Sequence, residues 1–118
     1  MHPPGADTVL VRFSGEVGVK SSSVQRRMER RVRENLDALL ARRECDATTE
    51  YEFTRLYVRT DSRDVNTVAE VATNTFGITS VSPVVEVEPT LEAICETLDE
   101  SAREHYDGGT FAVRARRA

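Results

Sequence analysis

Short runs of β-branched and apolar residues predict four strands in the first three quarters of the chain. The first strand is predicted over 8–13, which is almost wholly apolar. The runs at 47–52 and 56–59 are rich in threonine, tyrosine and valine, and residues 53–55 between them predict a turn. A fourth strand is predicted over 78–88, which contains Ile78, Val81, Val84, Val85 and Val87.

One helix is predicted over about 22–42, because apolar residues recur there every three or four positions. At about 100° per residue, six of them fall within an arc of about 160°. These six are Val24, Met28, Val32, Leu36, Leu39 and Leu40. Five arginines fill the opposite arc: Arg26, Arg27, Arg30, Arg31 and Arg33. The pattern predicts that one side of this helix packs on a core and that the other side carries five guanidinium groups.

A second amphipathic helix is predicted from the acidic and serine residues at 61–64, which suit an N-terminus, to about Phe76. Gly77 is well placed to end it. Its predicted apolar face comprises Val65, Val68, Ala69, Ala72 and Phe76.

A third helix is predicted to begin at Pro89-Thr90 and to end at Gly108-Gly109. A last strand is predicted over 110–117, where apolar residues alternate with arginines. The apolar face of the helix comprises Leu91, Ile94, Cys95, Leu98 and Ala102.

The order of these elements predicts the fold class. Residues 8–88 form a βαββαβ unit, which indicates an α+β ferredoxin-like sandwich with two helices on one face of an antiparallel sheet. A helix and a lone strand do not complete a domain, so residues 89–118 are expected to begin a second, incomplete one. Residues 1–7, with two prolines and a glycine, are expected to form a flexible arm.

Charge is distributed unevenly along the chain. The net charge is −4, yet residues 12–43 carry nine basic and four acidic side chains, while residues 44–118 carry seven basic and fifteen acidic. A basic segment on an acidic protein is a candidate anion site. At 39% hydrophobic and 31% charged residues, the composition argues against a disordered chain and against a membrane protein. Two cysteines 50 positions apart predict reduced thiols in a cytosolic protein.

Few residues suggest catalysis or metal binding. His2 and His105 have no cysteine or histidine at ligand spacing, so no metal site is expected. The loop from Gly15 to Ser21 lacks the spacing of a nucleotide-binding loop. Glu92, Glu96 and Glu100, four residues apart on the third helix, predict a solvated face.

The arginine cluster is the strongest candidate site. Arginine binds phosphate oxygens through a planar, bidentate fork, and such contacts position a nucleic acid without reading its sequence. The alternative is a solvated helix face that Glu29 and Glu34 partly neutralise. The residues expected to bind RNA are Lys20, Arg26, Arg27, Arg30, Arg31, Arg33, Arg114, Arg116 and Arg117.

Three segments in order resemble the N-terminal part of the tRNA sulfurtransferase family, the tRNA 4-thiouridine synthetases. The first is the opening strand with the Gly15-Glu16 turn, the Val19-Lys20-Ser21 helix entry and the basic helix. The second is the Phe76-Gly77-Ile78 run and the strand after it. The third, 110–117, is similar to the first strand of a THUMP domain. The acidic, arginine-biased composition suits an archaeal, salt-adapted member.

The resemblance implies that a ferredoxin-like domain and a THUMP domain together bind tRNA. A later domain, absent from this chain, would use ATP to adenylate a uridine, and a persulfide from a sulfur donor protein would replace its oxygen. Some members also supply sulfur for the thiamine thiazole. This chain is then expected to be cytoplasmic, to bind tRNA without membrane contact, and to hold no cofactor or catalytic residue. A homodimer is a further expected state.

Two alternatives come from other functional classes. A regulatory or protein-binding module of the same fold would leave the arginine face without a purpose. An acylphosphatase-like enzyme would need an arginine in the first loop and an asparagine on a central strand. The asparagines of this chain, Asn35, Asn66 and Asn74, all lie on predicted helices.

Overall fold

The computed structural model of the chain describes residues 3–13, 22–52 and 55–116. Its strands are β1 (Thr8–Phe13), β2 (Ala47–Glu52), β3 (Arg55–Thr60) and β4 (Ile78–Val84). Its α-helices are α1 (Ser22–Arg42), α2 (Val65–Thr73) and α3 (Leu91–His105), and one 3-10 turn (Ser62–Asp64) precedes α2.

The four strands form one antiparallel sheet in the order β2-β3-β1-β4. β1 is central, and it pairs with β3 on one side and with β4 on the other. With α1 and α2 packed on one face of the sheet, this topology confirms the predicted α+β ferredoxin-like sandwich.

The core lies between the two helices and one face of the sheet. Val9 and Val11 of β1 and Leu36 of α1 are fully buried there. The other fully buried apolar residues of the core are Leu56, Val58, Val65, Val68 and Ala72. Val24 was predicted to share the apolar stripe of α1, but its side chain is 37% exposed. That prediction is wrong because Val24 lies in the first turn of the helix, outside the buried part of the stripe.

The predicted ends of α2, β4 and α3 are wrong, and α3 ends at His105 rather than at Gly108-Gly109. α2 ends at Thr73 rather than near Phe76, whose side chain is 82% exposed instead of packed. The Thr73 and Asn74 side chains donate hydrogen bonds back to the carbonyls of the last turn, and Gly77 then adopts a φ of 92°. Such local bonds compete with continuation of a helix. β4 ends at Val84, because the pairing with β1 reaches only to Thr8.

Residues 3–7, which belong to the predicted flexible arm, contact the sandwich in the structure. The Ala6 amide donates to the Pro3 carbonyl, and Ala6 itself is buried in the core. The Asp7 carbonyl accepts a hydrogen bond from the Thr60 amide at 2.9 Å. These contacts fasten the segment to the end of β3.

The segment after β4 is far less packed than the sandwich. α3 begins at the predicted N-cap, where the Thr90 hydroxyl accepts from the Ala93 amide, but it buries none of its residues. Cys95, placed by its spacing on an apolar stripe, is exposed. Residues 110–116 form no strand, so the prediction of a strand there is wrong for these residues. A strand needs a hydrogen-bonded neighbour, and this segment pairs with none of β1–β4.

No helix in the described ranges is both long and apolar enough to cross a membrane.

Leu36→Ala is expected to lower the free energy of unfolding by about 2–5 kcal/mol, because it opens a cavity where the side chain is fully buried. Leu91→Ala is the matched control, since Leu91 is 78% exposed and its loss should change stability by less than about 0.5 kcal/mol. Urea denaturation of the three proteins measures both values. Equal stability of Leu36→Ala and the parent chain would contradict the packing described above.

Backbone amides at 110–116 are expected to exchange with solvent at least about a hundredfold faster than those of β1, because open segments lack the protection of a paired strand. Native-state hydrogen exchange followed by mass spectrometry or NMR measures the ratio. Equal protection of the two segments in a monomeric sample would overturn this expectation.

Candidate nucleic-acid interface

The exposed side of α1 carries a row of four arginines, which we call the arginine row: Arg26, Arg27, Arg30 and Arg31. All four side chains are exposed, and none makes a hydrogen bond or ion pair with another described residue. Residues three and four apart lie on one helix face, so the row spans less than half of the helix circumference. Its free guanidinium groups are available to an anion.

Part of this row borders a shallow depression of about 360 Å³. Arg27, Arg30 and Arg31 line it together with Met28 and Glu34. Glu34 makes no ion pair with them among the described residues. In the alternative of a solvated helix face, this glutamate would partly neutralise the cluster, but it forms no ion pair with the row.

Arg33 differs from the four arginines of the row. Its Nε donates to the Thr49 hydroxyl at 3.0 Å, and an Nη atom donates to the Thr49 carbonyl at 2.8 Å. The side chain is only partly exposed. The expectation that all five guanidinium groups face solvent is therefore wrong for Arg33, because the unpaired edge of β2 offers a backbone acceptor. Arg33 ties α1 to β2.

Glu29 is buried, although it lies on the same helix between the arginines. Its two carboxylate oxygens accept hydrogen bonds from the Tyr51 hydroxyl at 2.6 Å and from the Gln25 amide at 3.0 Å. The carboxylate is thus occupied by β2 and by its own helix, and it forms no ion pair with the arginine row.

A second depression, of about 440 Å³, lies between the N-terminal half of α1 and the sheet; we call it the aromatic groove. Its lining combines two aromatic rings, three arginines and one carboxylate: Phe13, Tyr51, Arg26, Arg30, Arg33 and Glu29. Sequence reasoning missed the aromatic pair. Strand alternation places Phe13 on the same face of β1 as Val9 and Val11, but it gives no sign that Tyr51 of β2 lies beside it.

Two further arginines lie on the opposite face of the sheet and are already engaged. Arg12 donates to the hydroxyls of Ser80 and Ser82. Arg59 forms ion pairs with Glu50 at 3.1 Å and with Glu86 at 2.8 Å. Hydrogen bonds from Arg59 to these carboxylates raise the pKa of the Arg59 guanidinium. Both guanidinium groups are therefore engaged, and carboxylates compensate the charge of Arg59, unlike the charges of the arginine row.

Of the remaining residues predicted to bind RNA, the structure describes only Arg114 and Arg116. Arg114 and Arg116 are exposed in the segment after α3, which forms no strand. Lys20 and Arg117, and the loop from Gly15 to Ser21, lie outside the described residues. In the part of the chain that the structure describes, no three histidine, cysteine or acidic side chains are grouped so that they could hold a metal ion.

Partial burial and the hydrogen bond to Glu29 raise the pKa of Tyr51 to about 12. The folded-state pKa lies above the unfolded value of about 10, so this interaction stabilises the fold fully below pH 10. The contribution is lost as pH rises from about 10 to about 12. An ultraviolet difference titration of the parent chain against Tyr51→Phe should give a midpoint near 12.

Glu29→Gln should move that midpoint down, because it removes the negative charge that opposes the phenolate. A Tyr51 midpoint near the ordinary tyrosine value in the folded parent would contradict the Tyr51–Glu29 contact.

A family model and several relatives match this chain. The model of the ThiI ferredoxin-like domain matches residues 8–82. A probable tRNA sulfurtransferase of Halobacterium salinarum is 52% identical over 118 residues, which is all of this chain and 29% of the relative. A probable tRNA sulfurtransferase of Aeropyrum pernix is 39% identical over 114 residues, covering 95% of this chain and 28% of the relative.

A solved structure shares the fold. The crystal structure of PH1313 from Pyrococcus horikoshii Ot3 superposes with a TM-score of 0.70 at 30% sequence identity. The match covers 86% of this chain and 34% of that protein. The chain thus spans less than a third of the two tRNA sulfurtransferases and about a third of PH1313. Because the family model covers well over half of the chain, the chain belongs to the ThiI ferredoxin-like domain family.

Proposed function

We propose that this chain is the tRNA-binding N-terminal portion of a tRNA sulfurtransferase that makes 4-thiouridine in tRNA. The observation that carries the proposal is the arginine row, four exposed guanidinium groups with no partner among the described residues. The names of the relatives supply the substrate class, since they are described as probable tRNA sulfurtransferases.

The local charge favours a polyanion although the whole chain is acidic. Of the two glutamates that could offset the arginine row, Glu29 is buried against Tyr51 and Glu34 forms no ion pair in the described structure. Most other acids lie in residues 44–118, after α1. Exposed charges farther apart than about 10 Å are largely screened at ordinary salt concentration. Acidic side chains farther than this from α1 therefore do not cancel the field close to the arginine row, whatever the net charge of −4.

The contacts we propose are with phosphates, because the row contains only guanidinium groups in a line along one helix. Phosphate contacts fix the position and orientation of a nucleic acid and do not read its sequence. In this proposal, the choice of tRNA and uridine depends on other parts of the longer protein. Those parts would include the THUMP domain that 89–118 would begin and a domain that uses ATP. A sulfur donor protein would supply the sulfur to that second domain.

The same proposal covers the remaining properties of the longer protein. This chain itself would hold no cofactor and would perform no chemistry, and a cytoplasmic location would follow from a tRNA substrate. A second role in supplying sulfur for the thiamine thiazole would belong to the domains outside this chain. A homodimer would bring two arginine rows to one assembly.

The double variant Arg27→Gln, Arg31→Gln should weaken tRNA binding and flatten its salt dependence. Each lost phosphate contact lowers the slope of log K against log salt by about 0.7–0.9, so the pair should lower it by about 1.4–1.8. Filter binding of a tRNA between about 50 and 200 mM salt, the range over which such slopes are commonly compared, measures the change. Thermal stability should be retained, because both side chains are exposed.

The matched control is Arg63→Gln, Arg103→Gln, which removes the same charge. Both of these arginines are exposed and already paired, with Asp61 and Asp99. This control should leave the slope unchanged. An unchanged slope in a folded Arg27→Gln, Arg31→Gln protein would mean that the arginine row does not bind phosphate.

A further inference from the structure

The aromatic groove differs chemically from the rest of the α1 surface. The arginine row alone would suit any polyanion, whereas the groove adds two rings to the cations. It is about 440 Å³ in volume, within the range of pockets that hold small planar molecules. Its lining residues come from the end of β1, from β2 and from α1, so the packing of the sandwich assembles it.

The aromatic side of the groove is held in place. The ring centroids of Phe13 and Tyr51 lie 6.2 Å apart with an interplanar angle of 57°. The Tyr51 hydroxyl is held by Glu29 at 2.6 Å, which restricts rotation of the ring about its bonds to the strand. Tyr51 is nevertheless 40% exposed, so part of its ring is free for another planar group. A fixed, half-exposed ring loses little entropy when it binds such a group.

The three arginines that line the groove differ in whether they have a partner within the protein. Arg33 is anchored to Thr49 and shapes the wall. Arg26 and Arg30 belong to the arginine row and have no partner among the described residues. Arg26 also lies close enough to Tyr51 for its charge to oppose the rise of the tyrosine pKa. A free cation therefore stands beside the exposed ring.

The carboxylate limits which part of a ligand can enter. The Glu29 carboxylate is buried beside the Tyr51 hydroxyl, so a phosphate seated deep in the groove would meet a group of like charge. The anionic part of a ligand is favoured at the rim, beside Arg26 and Arg30. An uncharged planar part is favoured further in, against Tyr51. This order of groups is that of a nucleotide, with its phosphate outside and its base inside.

We propose that the aromatic groove binds one unpaired nucleotide of RNA, with its base stacked on Tyr51 and its phosphate held by Arg26 and Arg30. The inference rests on the proposed function and adds a preference for single-stranded over paired RNA. A base within a duplex has both faces covered by its neighbours, so it cannot stack on a protein ring. Base–aromatic stacking tolerates any base, because each base has a π-face.

The test compares two Tyr51 variants in the chain as it stands. Both Tyr51→Val and Tyr51→Phe lose the hydroxyl that donates to Glu29, but only Tyr51→Val loses the ring. The probe is a short oligouridylate with one central 2-aminopurine, whose fluorescence falls when it stacks. Tyr57→Val is the control on the other face, because Tyr57 lies between Leu56 and Val58, which are buried on the helix side of the sheet.

The parent chain and Tyr51→Phe should quench the probe and bind it with affinities within about twofold of each other. Tyr51→Val should bind roughly 5- to 160-fold more weakly, the range for loss of one base–aromatic stack. Its salt slope should stay that of the parent, because stacking releases no counterions. A duplex of the same RNA should bind all variants equally, and Tyr57→Val should behave as the parent does.

This experiment distinguishes failure of the nucleotide site from failure of the proposed tRNA-binding function. Equal affinity and equal quenching for folded Tyr51→Val and parent would overturn the nucleotide site, while the salt slope of the Arg27→Gln, Arg31→Gln protein could still support phosphate binding by the row. Loss of binding in Tyr51→Phe as great as in Tyr51→Val would also overturn it, because the hydroxyl and not the ring would then matter. An absence of any salt-dependent RNA binding by the parent would overturn the proposed function itself.

Discussion

The structure depends on the burial of one apolar stripe of α1 against the central strand of the sheet. Leu36 packs in the same core as Val9 and Val11, and all three are fully removed from solvent. Burial of such side chains contributes about 1.5–3 kcal/mol each. It also fixes the rotation of α1 about its own axis, and the arginine row faces solvent as a consequence.

Polar contacts then bind the N-terminal half of α1 to the edge of the sheet. Arg33 bonds to Thr49 and Glu29 bonds to Tyr51, so one cation and one anion of the helix are used for structure. Both contacts reach β2, which has an unpaired edge because β3 covers only its other side. They divide the charges of α1 into anchored groups and free groups, and the free groups are the ones without a structural partner in the described residues.

The same packing argument separates the sandwich from the segment that follows it. α3 has a capped N-terminus, yet its apolar face touches no core, and the residues after it make no sheet. A helix can form from its local hydrogen bonds, whereas a strand depends on a neighbour distant in sequence. For that reason the helix prediction was confirmed and the strand prediction at 110–116 was wrong.

The sequence by itself determined the element order of the sandwich, the ferredoxin-like fold and the row of exposed arginines, because these follow from the local periodicity of apolar and polar residues. It did not determine that Arg33 and Glu29 turn inward, or that Phe13 and Tyr51 meet in one groove. Residues 13 and 51 come together only when β1, β2 and α1 pack around a common core. Pairings between residues far apart in sequence depend on register and packing, and local periodicity carries no information on either.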